Sequence, residues 1–173
     1  MEMGELCQVQ ASQTMDKAGT KDHGGNEMSE NTNPSYLGTS IVNQVVESVM
    51  DLIDSQDYFA KIRRGALGTE AGLCCEVAPS IVDAVFLDKN SYILLDLTLN
   101  GKHSNLQTLS DTLNNITDYL TRLKSYGSGN GWEIVDITAG SPSEATVLER
   151  EQNGLWFMAS GVIIKFYRKD ETT

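Results

Sequence analysis

Leu106, Leu109, Leu113, Ile116, Leu120 and Leu123 recur at intervals of three, four, three, four and three residues. That rhythm puts all six on one stripe of an α-helix. The stripe is too short for a coiled-coil seam, so it reads as the face of a helix that covers a sheet. Ser104 with Gln107 three residues later forms a capping-box signal, and Gly127 is a C-terminal stop. The expected helix spans about 105–126. The residues just before it supply a surface for it to lie on. Ile93, Leu95, Leu97 and Leu99 point one way and Asp96 and Thr98 the other, which is a strand over 92–100. Asn90-Ser91 and Asn100-Gly101 bound that strand.

The remaining chain builds outward from this strand and helix. Ile41, Val45, Val49 and Leu52 form a second helical stripe, widened by Val46 and Ile53, with Thr39 or Ser40 as its cap. Residues 61–72, with Arg63, Arg64 and three glycines, read as a loop or a loosely paired hairpin. A short strand is expected over 73–77, and 80–88 fits either a strand or a helical turn. After the long helix, 132–137 alternates as a strand and Gly140-Ser141-Pro142 breaks it. Asn153-Gly154 reads as a two-residue hairpin turn between 145–152 and 155–160, and Gly161 as a bulge. In the last strand Val162, Ile164 and Phe166 alternate with Ile163, Lys165 and Tyr167. The fold class is therefore α+β: an antiparallel or mixed β-sheet with a long amphipathic helix on one face and a second, N-terminal helix.

Composition divides the chain in two. Residues 1–35 hold six acids against Lys17 and Lys21 and none of the 12 aromatic residues. They lack an apolar period and read as a disordered, acidic and polar extension. The folded domain is expected over 36–173. Of the net charge of −11, this leaves −7 on the domain. Met28 lies just before the domain, and Gly24-Gly25 precedes it at a spacing compatible with a ribosome-binding sequence. Residues 1–27 are accordingly expected to lie outside the functional protein.

Charge and cysteine usage exclude several classes. Thirteen Lys and Arg against 24 Asp and Glu do not attract nucleic acid or anionic lipid in bulk. No apolar run approaches the roughly 20 residues that cross a bilayer. Residues 1–10 lack the apolar core of a secretory signal. Three cysteines, with Cys74 and Cys75 adjacent, form no disulfide framework and suit a reducing compartment.

Catalytic patterns are weak. Gly101-Lys102 follows a strand and precedes a helix, as in a phosphate-binding loop. However, Asp96 stands where that loop needs glycine and His103 where it needs Ser or Thr. The glycines at 127, 129 and 131 follow a helix and precede a strand, the reverse of a dinucleotide fingerprint. His23 and His103 are isolated, and adjacent strand residues such as Cys74 and Cys75 point to opposite faces. No catalytic residue, cofactor or metal is expected. Arg63 and Arg64 are either ordinary surface charge or an acceptor for a neighbour's acidic surface.

Four stretches carry a resemblance. They are the helix ending in Val49-Met50-Asp51-Leu52-Ile53 and the run Asp96-Leu97-Thr98-Leu99-Asn100-Gly101-Lys102-His103-Ser104. The Leu-rich helix to Leu123 follows. The last is the closing hairpin, with Gly154-Leu155-Trp156-Phe157 and Val162-Ile163-Ile164-Lys165-Phe166-Tyr167. Over about residues 37–169 the chain resembles the tail-terminator and minor-capsid proteins of long-tailed bacteriophages, the family of tail-completion and head–tail joining proteins. The resemblance implies an α/β domain forming a homohexameric ring at the head–tail junction of the virion, assembled in the bacterial cytoplasm. It implies a tail-tube protein and a neck or connector protein as partners, with genomic DNA only passing through the lumen. Both faces of the last strand carry apolar residues, so Ile163, Lys165 and Tyr167, together with Arg63 and Arg64, are the candidate subunit or partner interface. Two other readings stay open. One is a monomeric adaptor or assembly chaperone binding through a sheet edge. The other is an enzyme using Cys74 or Cys75.

Overall fold

The computed structural model describes residues 40–170. The readings of 1–35 as a disordered extension and of Met28 as a start lie outside the described residues. Helix α1 spans Ile41–Asp54 and is capped by Ser40, whose hydroxyl accepts from the Asn43 amide at 3.3 Å. Its expected stripe is buried at Val45, Val46, Val49 and Ile53. Helix α2 spans Leu106–Arg122 and buries Leu109, Leu113, Ile116 and Leu120 completely, while Leu106 and Leu123 are half-buried at its ends.

Eight strands form one mixed sheet among the described residues. Its spine is a 13-residue antiparallel pair, β4 (Ser91–His103) with β8 (Trp156–Arg168), in unbroken register from Ser91↔Arg168 to His103↔Trp156. Each spine strand has a divided outer side. Beside β4 lie β3 (Ile81–Val85), next to the Ser91 end, and β2 (Gly72–Val77), next to the His103 end. Beyond β2, β1 (Ile62–Arg64) adds the parallel pair of the sheet. Beside β8 lie β7 (Thr146–Arg150), at the Trp156 end, and β6 (Trp132–Ala139), at the Arg168 end. The two-residue β5 (Ser128–Gly129) lies outside β6.

Both helices cover one face. Ile93, Leu95, Leu97 and Leu99 of β4 pair in register with Phe166, Ile164, Val162 and Ser160 of β8. All eight side chains are buried in the layer under the helices. Ser160 meets Thr117 of α2 there, hydroxyl to hydroxyl at 3.3 Å. Trp132 of β6 donates its indole N–H to Gln44 of α1 at 2.9 Å, tying the first helix to the sheet.

Several local expectations need correction. The long helix starts one residue later than the capping-box signal implied: Asn105 is its cap, accepting from the Thr108 amide at 3.1 Å. It ends at Arg122, where Leu123 turns extended, so Gly127 does not close it. Gly127 instead passes against α1, where a Cβ would stand 2.0 Å from Ser48 Oγ. Asn100-Gly101 is not a turn, because β4 continues through it to His103. Gly101 lies close under α2, where a Cβ would stand 2.6 Å from a terminal methyl of Leu109 and push that side chain aside. Residues 61–72 form no hairpin, since β1 runs parallel to β2.

The closing hairpin also differs. The Gly154 amide donates to Glu151 O at 2.9 Å and the Glu151 amide to Leu155 O at 2.8 Å, with Gly154 at φ +85°. That is a three-residue loop with glycine in the left-handed position. Gly161 is no bulge, because its pairing to β4 keeps register on both sides. It stands where the outer edge of β8 passes from one neighbour to the next: a Cβ on Gly140 would stand 2.8 Å from Gly161 C, and the Gly161 amide donates to Pro142 O at 2.7 Å. There β6 ends and the chain loops out of register along the same edge of β8, so that β7 takes the other half of that edge.

Candidate interaction surface

Period-two geometry decides what β8 shows to each side. Val162, Ile164 and Phe166 face the helices, so Ile163, Lys165 and Tyr167 face the uncovered side and are half-buried. Opposite them on β4 stand Asp96, Leu94 and Tyr92. Tyr92 meets Tyr167 edge-on, with centroids 5.7 Å apart, and Phe86 packs edge-on against Tyr92 at 5.3 Å. Lys165 is not a free charge. Its ammonium lies 2.7 Å from Asp83 Oδ2 and 4.9 Å from the Tyr92 ring centre. The hydrogen bond with Asp83 raises its pKa above the usual lysine value. Lys165 therefore ties the chain at β3 to β8 across the intervening β4.

The larger apolar surface is β3 and the turn after it. Ile81, Val82 and Val85 are 62, 55 and 66 % exposed, Phe86 43 % and Leu87 fully exposed. Ile81 and Val82 alternate in register, so both faces of this strand are open. An edge strand with apolar side chains on both faces is a ready template for pairing with another chain. Phe86, Leu87, Asp88, Tyr92 and Tyr167 line an open groove where this strand meets the uncovered face. The apolar run at 80–88 was visible in the sequence. Its exposure was not, because exposure depends on how far the helices reach.

Arg63 and Arg64 lie elsewhere. They are exposed on β1, beyond the β2 residues that pair with positions 99 and 100 of β4, whereas Ile163 to Tyr167 pair with positions 92–96. The structure brings Ile163, Lys165 and Tyr167 together and leaves the arginines at the far edge. Arg64 donates to Asn43 Oδ1 of α1 at 2.6 Å.

The residues considered for catalysis are occupied or separated. Burial pushes the Cys75 thiol up to about 11, the neighbouring Cys74 adding to the shift, and burial also raises Cys74. Both side chains are almost wholly inaccessible. Cys75 pairs with Leu99, four positions from His103 on the same strand, which is about 13 Å along β4. The Nδ1 of His103 accepts from the Asn105 amide at 3.0 Å, and its ring leans on Phe59 at 4.8 Å. Lys102 forms an ion pair with Glu151 and donates to Gly68 O at 3.1 Å. It is thus a strand residue tied to two loops, not a phosphate-loop lysine. A depression of about 520 Å³ is lined by Lys61, Arg63 and the loop to Cys74. The one thiol in its lining, Cys74, is buried, and that burial raises its pKa. Among the described residues no three His, Cys, Asp or Glu side chains gather as a metal site, and no helix is long and apolar enough to cross a membrane.

No protein-family model matches this chain, and no curated protein does.

Proposed function

We propose that this chain is a structural protein of a phage virion, a ring-forming tail terminator that caps the tail tube and joins it to the neck. The observation that carries the reading is the unequal treatment of the sheet. One face is sealed by two helices. The other face, and both sides of β3, present apolar side chains to solvent. Apolar surface left open in this way is surface that another chain covers. The family resemblance supplies the number six and the partners: the tail-tube protein on one side and a neck or connector protein on the other. The net charge of −11 suits a channel for DNA, because an acidic lumen repels phosphate and gives passing DNA nothing to adhere to.

Native mass spectrometry and electron microscopy of the full chain, alone and mixed with purified tail tubes, test this reading. Six-subunit rings with a central channel, and tubes capped at one end, are expected. A chain that stays monomeric at high concentration and leaves tubes uncapped rejects the terminator. A monomer that binds one partner through a sheet edge selects the adaptor instead.

A further inference from the structure

We infer that the two side edges of the sheet are the mating halves of one head-to-tail contact between copies of this chain, with Arg63 and Arg64 set against Glu144 and Glu149. The inference rests on the ring reading and deepens it by naming which surfaces meet.

The sheet has stepped edges. Outside β4, the edge is two strands deep (β2, β1) near His103 and one strand deep (β3) near Ser91. Outside β8 the order reverses. The edge is one strand deep (β7) near Trp156 and two strands deep (β6, β5) near Arg168. A second copy displaced sideways in the plane of the sheet brings its β7 against β1 and its β6 side against β3, and the steps interlock.

Charge selects this arrangement over a two-fold one. The β1 edge carries Arg63 and Arg64. The β7 edge carries exposed Glu149, with Glu144 just ahead of the strand, while its one cation, Arg150, lies over the Trp156 ring at 4.9 Å. Among the described residues, Arg63, Glu144 and Glu149 take part in no ion pair within the subunit. Head-to-tail contact sets these arginines on these acids. It also places exposed Ile81, Val82 and Val85 of β3 beside Val135 of β6, which is 45 % exposed. A two-fold contact through the β7 side would set its acids against Glu133 and Asp136 of β6. A two-fold contact through the β1 side would spend the arginines on the apolar β3. For copies that each carry −11, a like-charge junction is the costly choice. A contact between two different surfaces, repeated with a constant rotation, closes into a ring when that rotation divides a full turn and otherwise runs on as a filament; the ring reading takes the first case.

Charge reversal on the full chain tests the contact. Arg63→Glu with Arg64→Glu in one variant, and Glu144→Arg with Glu149→Arg in a second, are each expected to weaken self-assembly at least tenfold by native mass spectrometry. Circular dichroism should report an unchanged fold, because all four side chains are exposed. Mixed in equal amounts, the two variants should reassemble into rings in which they alternate, since each then presents the charge its neighbour lost. Variants that assemble like wild type, or a mixture that stays disassembled, overturn this contact while wild-type rings leave the terminator reading intact. Wild type that forms no ring overturns both.

Discussion

Cys75 shows how burial sets chemistry at a single residue. Its thiol titrates at about 11, against an ordinary value of 9.0, because the folded protein disfavours the thiolate. The unfolded chain therefore loses this proton first as pH rises. The stabilisation is fully present below pH 9 and is lost between about 9 and 11. The urea midpoint is expected to fall over that window, and to fall less in Cys75→Ala. Alkylation of wild type at pH 8 should be far slower than in denaturant, because attack needs the thiolate. Labelling at the unfolded rate would show that the thiol is open and ionised. Gly140 is a second case. A Cβ there would stand 2.8 Å from the backbone of Gly161, which cannot swing aside like a side chain. Gly140→Ala is expected to cost about 1–3 kcal/mol by overpacking. An unchanged denaturation midpoint would mean that the two backbones stand further apart there.

At the scale of elements, α2 is the helix on which the sheet depends. Leu113 and Ile116 are completely buried between it and β4, β6 and β8. Truncating either to Ala is expected to cost about 2–5 kcal/mol, a large share of the roughly 5–15 kcal/mol of a typical domain. An unmoved midpoint would show the stripe to be exposed. The cap gives a finer check. Asn105→Ala should cost about 1 kcal/mol while Ser104→Ala costs little, because the side chain that accepts from the Thr108 amide belongs to Asn105. The reverse ranking would restore the capping box. The stripe was legible because 3.6-residue periodicity is local, and β4 because alternation is local. The ends were not. Both Ser104 and Asn105 are good caps, and the choice between them depends on how His103 leaves the sheet and takes the Asn105 amide. The strand at 81–85 was ambiguous for a similar reason: its pairing with β4, and not its composition, makes it a strand.

At the scale of the whole molecule, the uncovered face is a second surface for assembly, apart from the two edges proposed to join neighbouring copies. Ile163→Asp or Tyr167→Asp places a charge on that face without entering the helix-covered layer. Either is expected to weaken oligomerisation by native mass spectrometry more than it lowers the unfolding midpoint. Intact rings in both variants would remove this strand from the interface. The sequence by itself determined the α+β class, both amphipathic stripes and the two-faced last strand, since each is a period written in neighbouring residues. It also placed Ile163, Lys165 and Tyr167 on one side of that strand. Only the tertiary structure decided that Arg63 and Arg64 stand at a different edge from them, and that Lys165 is held by Asp83. It alone showed that a single 13-residue β8 serves β7 with one half and β6 with the other. The pairings behind these facts join residues from 6 positions apart, Arg150 with Trp156, to 82 apart, Asp83 with Lys165, and strand order is fixed by which edges and faces the packed helices leave available, a condition no local period records.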